Sequence, residues 1–442
     1  MTAISDNELL TRVGPGTPMG SFMREYWVPA CLSSELVADG PPLRLMLLGE
    51  KLIAFRDSKG RVGVMDHRCP HRCASLFFGR NEHEGIRCSY HGWKFDVAGN
   101  CLDMPNVPKH QAFESKVKAK AYPAVERYGL IWTYMGKRAA PPPLPCFEAV
   151  MIPEDGERAQ FMVQRACNYL QALEGDIDTS HLGFLHMGSV TSEGADQSHP
   201  GRYALEHRAP EYHVADTDWG TMYAAYRPGG PNEIYWRFAH FMFPFWTIPP
   251  DGNFRDHVIA RAWVPMDDEH TMFVHCMWTK NSPGLRKLRD GSPIPGVGMM
   301  RPQDYLPNTT DWHGRWRLKA NATNDYMINR EQQAKNINYC GIDGLHLQDQ
   351  AITESMGPIV DHSFENLAIS DLMVSRTRRR IVRAVRAHAE GIVPPGVDNP
   401  ETYQGARGGD FVGPDTIGWL QAYSDEMRAS RNPTGVLRIA AE

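Results

Sequence analysis

The chain has 442 residues, a formal net charge of −5 and nine cysteines. This length accommodates two domains of ordinary size, and the mildly acidic charge argues against nucleic acid as a partner. The N-terminus lacks the pattern of a secretory signal, no run reaches the ~20 apolar residues of a membrane helix, and the odd, irregularly spaced cysteines suit a reducing compartment. These features predict a cytoplasmic protein with no membrane association.

Taken in chain order, the elements predict two domains joined by a linker. Residues 1–26 predict a short N-terminal arm that packs on the second domain. Between 27 and 136, short alternating runs such as RVGVMD and YGLIWTYMG are separated by turn sequences such as DSKG, which predicts a small antiparallel β domain. The proline-dense segment 137–147 predicts a linker. Residues 148–442 predict a larger domain with a helical region near 168–187, strands between 202 and 280, and a helical final third.

Four potential metal ligands lie close together in the predicted β domain. Cys69 and His71 form a C-x-H pair, and Cys88 and His91 form a C-x-x-H pair. Zinc is the alternative, but zinc sites commonly pair like ligands, whereas here each pair supplies one thiolate and one imidazole. That division favours a 2Fe–2S cluster in which the cysteines bind one iron and the histidines bind the other.

A second constellation, Asp178, His181 and His186, lies in the region predicted to be helical. On a regular helix Asp178 and His181 share a face, but His181 and His186 lie ~140° apart. Both histidines reach one metal only if the helix bulges or ends between them, and Gly183 permits such a distortion. Two imidazoles and one carboxylate form the facial triad of non-haem ferrous oxygenases. The third ligand must be distant, and one downstream segment offers Asp343, Asp349 and Glu354.

Both motifs, together with the residues around them, resemble those of one protein family. The run CSYHGWKFD around the second ligand pair and the pattern N-x₅-E-G-x₂-D-x₂-H-x₄-H resemble the large (α) subunits of Rieske non-haem iron ring-hydroxylating oxygenases, of the phthalate-dioxygenase-like group. The resemblance implies an α+β chain, with a β-rich Rieske 2Fe–2S domain and a catalytic domain of helix-grip (START-like) fold, in which helices flank an antiparallel sheet.

The resemblance also implies roles for particular residues. His181 and His186 would bind the mononuclear iron, and Asp349, in the segment QDQAITES, best matches the third ligand, with Asp343 as runner-up. Asp178 would bridge His181 to a cluster histidine, His71 or His91, of a neighbouring subunit. Two further residues have expected places: Asn168 near the iron and Glu174 beside the site or at an interface. In respiratory Rieske proteins a disulfide joins the two cluster loops, but Tyr90 stands where the second cysteine would be, so Cys73 is interpreted as a small packed thiol.

The implied function is that of a terminal oxygenase. A reductase carrying flavin and a ferredoxin-type centre would supply electrons from NADH, and the enzyme would hydroxylate a substituted aromatic compound of the acid class with O₂. Aryl ether O-demethylation on the same scaffold is the alternative, and a Rieske electron carrier without oxygenase activity is an alternative of another class. The expected assembly is a homotrimer or two stacked trimers. Arginines that could bind an acidic substrate are Arg202, Arg208 and Arg237, and the arginine-rich segment 375–386 is interpreted as a solvated face with intrachain ion pairs rather than a docking site.

Overall fold

The computed structural model describes residues 5–152, 158–278, 288–294 and 303–430. The ends of the predicted arm and of the predicted catalytic domain, residues 1–4 and 431–442, therefore lie outside the described residues, as do 153–157, 279–287 and 295–302. Within the described ranges, no helix is both long enough and apolar enough to cross a membrane.

Two short helices form the N-terminal arm, α1 (Asp6–Thr11) and α2 (Pro18–Arg24). Each begins at a residue whose side chain accepts a backbone N–H of the first turn, Ser5 for α1 and Thr17 for α2. The arm lies on the large domain: the hydroxyl of Tyr169 donates to the carbonyl of Leu10 over 2.9 Å. The domain limits drawn from the sequence otherwise stay predictions.

Residues 27–134, all of them described, form short antiparallel strands in one three-stranded and two four-stranded sheets. The sheet orders are β1-β11-β10, β2-β3-β4-β9 and β5-β6-β7-β8. The strands are β1 (Trp27–Leu32), β2 (Leu43–Leu47), β3 (Glu50–Arg56), β4 (Val62–Asp66), β5 (Arg80–Glu82), β6 (Gly85–Arg87), β7 (Lys94–Phe95), β8 (Cys101–Asp103), β9 (Ala121–Tyr122), β10 (Ala124–Arg127) and β11 (Leu130–Tyr134). The last of the three sheets frames the loops that carry the Cys/His pairs.

An antiparallel sheet in the order β12-β18-β17-β16-β15-β14-β13, with β19 also pairing with β15, forms the centre of the second domain. Its strands are β12 (Arg158–Arg165), β13 (Glu211–Asp216), β14 (Gly220–Pro228), β15 (Glu233–Met242), β16 (Trp246–Ile248), β17 (Ile259–Pro265), β18 (Thr271–Trp278) and β19 (Gly409–Pro414). The described helices of this domain are α3 (Tyr169–Asp176), α4 (Tyr203–Glu206), α5 (Arg330–Ala334), α6 (Leu345–Ser355), α7 (Leu372–Ala389) and α8 (Trp419–Ala429).

The long helix α7 packs across β13 and β14. Its buried residues, among them Met373, Ile381 and Val385, recur at helical spacing on one face, while arginines occupy the other. Arg376 and Arg383 both pair with Asp216 at 2.7 and 2.5 Å, which confirms the interpretation of this face as one of intrachain ion pairs. The helix begins at Leu372, directly after a short 3₁₀ helix at Ile369–Asp371. The predicted α+β class, a β-rich domain followed by an antiparallel sheet flanked by helices, is confirmed.

A shared hydrophobic core and several polar contacts join the two domains. The turn between β2 and β3 pairs with the end of β17, where Leu48 N–H donates to the carbonyl of Pro265 over 3.0 Å. Arg315 from the loop before α5 forms a two-pronged ion pair with Glu35, at 2.7 and 2.9 Å. Bidentate pairs fix direction as well as distance, so this contact contributes to the orientation of the β domain.

A buried ion pair anchors the start of the second domain. Glu148 and Arg407 are 4% and 2% exposed and lie 2.9 Å apart, and the same guanidinium donates to the carbonyl of Phe254. We expect Glu148→Ala to lower the free energy of unfolding by about 3–5 kcal/mol, since it removes the carboxylate that pairs with a buried cation.

The measurement is the denaturant midpoint followed by tryptophan fluorescence. The matched control is Asp425→Ala, which removes the exposed pair between Asp425 and Arg428 (3.3 Å) and should cost less than about 1 kcal/mol. Equal effects of the two substitutions would contradict the importance of the buried pair.

Candidate metal centres and active-site cavity

The two loops that carry the Cys/His pairs, 69–74 and 88–93, have the same backbone conformation. In each, the cysteine N–H donates to the carbonyl five residues later, and the cysteine carbonyl accepts the N–H four residues later, over 2.8 and 2.9 Å in both loops. The residues at the fourth position, Cys73 and Gly92, both have positive φ, 60° and 77°. Cys73 is exposed, so its interpretation as a packed thiol was wrong; it occupies the place of the glycine in the other loop.

The side chains of these loops fit a two-iron cluster. Cys69 and Cys88 are 1% and 3% exposed, and the imidazole rings of His71 and His91 lie 4.5 Å apart, nearer the surface. His91 Nδ1 is buried and has no hydrogen-bond partner among the residues that the structure describes. A buried ring nitrogen without a partner is costly, and an iron ion would give it one.

The second constellation lies beyond the end of a helix rather than on it. Helix α3 ends at Asp176, Asp178 follows in an extended segment, and a short 3₁₀ helix spans His181–Gly183. The expectation that Asp178 and His181 share a helix face is therefore wrong. Because 3₁₀ and turn geometry replaces the α-helix, the two imidazoles reach a common point despite their five-residue spacing.

Three potential ligand atoms converge at that point. His181 Nε2 and His186 Nε2 are 3.1 Å apart, and Asp349 Oδ1, from α6, lies 3.6 and 3.1 Å from them. In the described part of the chain, these residues are one of the groups whose ligand atoms all lie within 4.8 Å of one another. Asp343 is exposed in the loop before α6 and lies outside this group. Glu354 is engaged elsewhere, by the N–H of Ala166 and the hydroxyl of Tyr326.

Hydrogen bonds determine which nitrogen of each imidazole carries its proton. His186 Nδ1 lies 2.6 Å from Gln348 Oε1, and the amide nitrogen of Gln348 donates to the carbonyl of Ile342, so the amide oxygen must face the ring. His181 Nδ1 lies 3.3 Å from Asp178 Oδ2. With both Nδ1 atoms donating, both Nε2 atoms present lone pairs to Asp349, and three acceptors face one another. A cation between them removes the repulsion, and the donor set suits ferrous iron.

The pKa values of His181 and Asp349 also favour a cation between the three side chains. Burial acts to lower the pKa of His181, but its hydrogen bond to Asp178 and the negative charges of Asp178 and Asp349 outweigh burial and raise that pKa to about 9. Burial acts to raise the pKa of Asp349, and the two imidazoles outweigh it and lower the pKa well below the usual range. The point between these side chains therefore strongly favours positive charge, whether a proton or a metal ion.

Asn168 lies away from this point. It is the N-cap of α3: its side-chain oxygen accepts the N–H of Leu170, and its amide nitrogen donates to the carbonyls of Thr11 and Asp268. This differs from the expected place near the iron, because the side-chain oxygen caps α3 and the amide nitrogen joins α3 to the N-terminal arm and to the turn between β17 and β18. Glu174, also in α3, is buried in a two-pronged pair with Arg378 at 2.5 and 2.7 Å.

A cavity opens beside the three converging residues, and its walls come from the sheet and from α3 and α6. Arg237 is the one of the three arginines suggested by the sequence that lines this cavity; Arg202 and Arg208 are not among the lining residues. Asp178 lines both this cavity and a separate groove on the outer surface. Its other lining residues include Phe161, Arg165, Asp176, Asp251, Arg261, Trp263, Phe273, His275 and His346.

Sequence reasoning missed most of these lining residues, although a signal for them exists. Arg261 and Trp263 alternate on β17, and Phe273 and His275 alternate on β18, so each pair points to one face of its strand. Polar residues in otherwise apolar strands mark a face that borders a cavity. His346 precedes Asp349 by three residues on α6, a spacing that places both on one helix face.

Comparisons with known proteins agree with this geometry. Residues 26–123 match the Rieske [2Fe–2S] domain family, and residues 133–425 match the family described as LigXa C-terminal domain like. The chain is 49% identical to the oxygenase subunit of 3-chlorobenzoate-3,4-dioxygenase from Comamonas testosteroni, over 97% of this chain and 99% of that protein. It is 36% identical to the oxygenase subunit of phthalate 4,5-dioxygenase from Pseudomonas putida, over 88% of each.

More distant relatives extend the range of chemistry and support the fold. The oxygenase subunit of 5,5′-dehydrodivanillate O-demethylase from Sphingobium sp. is 32% identical over 90% of this chain and 84% of that protein. A crystal structure of dicamba monooxygenase bound to 3,6-dichlorosalicylic acid shares the fold at a TM-score of 0.55 and 18% identity, over 84% of this chain and 99% of that one. The chain is therefore an enzyme subunit that belongs to the Rieske non-haem iron ring-hydroxylating oxygenases, in their phthalate-dioxygenase-like group.

Proposed function

We propose that the chain is a terminal oxygenase component that hydroxylates a substituted aromatic acid. Cys69, His71, Cys88 and His91 would hold the cluster, and His181, His186 and Asp349 would hold Fe(II). The cluster supplies electrons one at a time, and the ferrous ion supplies the place where O₂ is activated. An external reductase with flavin and a ferredoxin-type centre would deliver those electrons from NADH.

One observation carries the proposal: the convergence of two bare imidazole nitrogens and a carboxylate oxygen at the wall of a cavity, within 3.1–3.6 Å of one another. A Rieske electron carrier needs no such group. The convergence therefore argues against the carrier and for an oxygenase, with the substrate held in the cavity beside the metal.

The cavity supports an aromatic acid as the substrate. Phe161, Trp263 and Phe273 supply aromatic surface, and Arg165, Arg237 and Arg261 supply positive charge. Two relatives have names that refer to chlorobenzoate and phthalate, both aromatic acids, and the shared family makes this class the first choice for the present chain.

O-demethylation is the second candidate, and the relationship to a dehydrodivanillate O-demethylase subunit favours it specifically. Both reactions consume one O₂, two electrons and two protons. Ring dihydroxylation places both oxygen atoms on the ring as a cis-diol. O-demethylation hydroxylates the methyl carbon and gives a phenol, formaldehyde and water.

A homotrimer, or two stacked trimers, would bring the two centres together. In the described part of this chain, no hydrogen bond of Asp178 reaches His71 or His91. Asp178 lines the outer groove, as do the exposed apolar residues Ile352 and Met356 (42% and 47%). Around the cluster loops, Phe78 and Tyr90 are likewise 68% and 55% exposed. If the groove of one copy met the cluster loops of another copy, both exposed apolar surfaces would be covered. This favours an interface between copies of the chain.

A reducing, cytoplasmic location fits the cysteines. All nine are described and all are free thiols in the structure.

The product assay decides between the two reactions. With reductase, NADH and O₂, we expect aromatic acids such as 3-chlorobenzoate to yield a cis-diol without formaldehyde, because arginine and aromatic side chains line the cavity beside the proposed metal ligands. Methoxybenzoates, assayed in parallel, control for demethylation. Formaldehyde with an equimolar phenol, and no diol from any acid, would establish the second candidate instead.

Iron analysis tests the third ligand. We expect Asp349→Ala to reduce iron from about three to about two per chain, because it removes one ligand of the mononuclear site and none of the cluster. Asp343→Ala is the matched control and should retain about three. The opposite result would make Asp343 the ligand, and the visible absorbance of the cluster checks that both variants are folded.

Asp178→Asn tests the bridge between subunits. Iron content and the cluster spectrum should be unchanged, since Asp178 is not a ligand in the proposed site. Oxidation of the pre-reduced cluster by O₂ and substrate, followed in a single turnover, should slow by about 10²-fold or more, because the amide replaces the charge that orients His181 and the neighbouring cluster histidine. An unchanged single-turnover rate would exclude the bridging role.

A further inference from the structure

A second set of two imidazoles and one carboxylate lies away from the proposed iron site. Asp267, His270 and His313 each offer a ligand atom, and these atoms all lie within 4.8 Å of one another. Asp267 Oδ1 is 3.0 Å from His270 Nδ1, and Asp267 Oδ2 is 2.8 Å from His313 Nε2. The two imidazole rings are 4.2 Å apart. The donor types match those of the proposed iron site, but none of the three residues lines the cavity beside it.

The backbone orients the carboxylate of this group. Asp267 and His270 lie in the turn between β17 and β18, and His313 lies in the loop before α5. Asp267 Oδ1 accepts the backbone N–H groups of Glu269 and His270 over 2.9 and 2.8 Å. Outer contacts of this kind hold a ligating carboxylate in place. The turn therefore presents one carboxylate and one imidazole together, and the distant loop adds the second imidazole.

The separations within the group suit a divalent ion. Hydrogen bonds alone explain them only if His270 Nδ1 and His313 Nε2 both carry protons. A tetrahedral zinc ion with bonds of about 2.0–2.2 Å would replace both protons and hold its ligand atoms about 3.3 Å apart, close to the observed 2.8 and 3.0 Å. The three side chains are 27–31% exposed, so an ion can enter from solvent and water can complete its coordination.

A third group of potential ligands in the described residues shows the contrast. Glu174, His362 and Glu365 also bring their ligand atoms within 4.8 Å of one another. The guanidinium of Arg378 pairs with both glutamates over 2.5–2.9 Å, so the protein itself supplies the positive charge there. Among the described residues, the side chains that pair with Asp267 are the two imidazoles, and no lysine or arginine does so. An ion is thus favoured at Asp267 and not at Glu174.

The two segments that supply these residues also contact the β domain. In the turn after β17, the carbonyl of Met266 accepts the N–H of Gly49 over 2.7 Å. In the loop before α5, the ring of Trp312 lies 5.1 Å from the ring of His67, two residues before Cys69. An ion that joins the turn to the loop would therefore brace the boundary between the two domains.

We infer that Asp267, His270 and His313 form a structural site for a divalent transition-metal ion of the zinc class, separate from both iron centres. Imidazole nitrogen and carboxylate oxygen are ordinary zinc ligands. The ion ties the β17–β18 turn to the loop before α5, and it takes no part in the oxygenase reaction. The site therefore goes beyond the proposed function and does not depend on it.

Zinc binding to the iron-loaded holoenzyme tests the site. The enzyme is dialysed against buffered Zn²⁺, and zinc and iron per chain are measured by mass spectrometry. We expect about one zinc in addition to about three irons in the wild type. His313→Gln should keep the irons and weaken zinc binding by about 100-fold, because it removes one of three protein ligands. His110→Gln changes an exposed histidine of the β domain and is the matched control, with zinc and iron unchanged.

Two further measurements identify the ligands and the structural role. X-ray absorption at the zinc edge should show nitrogen and oxygen ligands at about 2.0–2.2 Å and no sulfur. Zinc should raise the midpoint of thermal unfolding of the wild type and of His110→Gln, but not that of His313→Gln. His270→Gln should behave as His313→Gln does, and it decides the matter if His313→Gln does not fold. The visible spectrum of the cluster verifies folding.

The outcomes separate this inference from the proposed function. Zinc content that is the same in the wild type, His270→Gln and His313→Gln would overturn the inference, as would sulfur ligands, which would assign the zinc to the cluster loops. Zinc that replaces iron in every variant would place it at the proposed iron site and also overturn the inference. If the enzyme oxidises no aromatic acid but binds zinc as expected, only the proposed function fails.

Discussion

Two imidazole nitrogens and one carboxylate oxygen turn their lone pairs toward the same point, and the catalytic domain is organised around that arrangement. Left to themselves, three acceptors 3.1–3.6 Å apart repel one another. Hydrogen bonds at the Nδ1 atoms nevertheless orient both imidazoles toward this point. Gln348 fixes the tautomer of His186, and Asp178 does the same for His181. A cation bound between the three atoms explains this arrangement, because it attracts the lone pairs that otherwise repel one another.

The arrangement also dictates local secondary structure. If α3 continued past Asp176, His181 and His186 would point in directions ~140° apart. The helix ends instead, and the chain passes through a short 3₁₀ helix that brings the second imidazole back to the first. Asn168 ties the N-terminal end of α3 to the arm, and Glu174, near its C-terminal end, pairs with Arg378 of α7. Both contacts fix α3 ahead of the irregular segment.

Sequence reasoning was strongest where ligands are close along the chain and weakest where the fold brings distant residues together. The pairs Cys69/His71 and Cys88/His91 can be recognised from spacing, because each pair occupies one loop. The choice between Asp349, on α6, and Asp343, in the loop before it, depends on which of the two lies beside His181 and His186, and that is decided by tertiary packing. Asn168 illustrates a different limit, because a capping residue beside a metal motif resembles a functional one until its hydrogen bonds are known.

The residues that line the cavity also could not be recognised from the sequence. Arg165, His275 and His346 lie far apart in sequence, and each stands among apolar neighbours, where a single polar residue predicts little. Their common property, a buried nitrogen without a partner, exists only in three dimensions. Alternation on β17 and β18 could have shown which strand faces border a cavity, but not that polar side chains of four strands and of α6 line the same cavity.

The last constraint is that the proposed cluster and the proposed mononuclear metal site lie in different domains of the chain. The cluster loops present their histidines near the surface of the β domain, and Asp178 stands between the internal cavity and an outer groove. One oxygen of this carboxylate contacts His181 Nδ1 and the other accepts the N–H of Ser180, and the side chain also lines the groove. Within the described residues the same chain brings no cluster histidine to it. Since both surfaces carry exposed apolar side chains, the proposed trimer satisfies two requirements with one contact: it covers apolar surface and closes the route from cluster to metal.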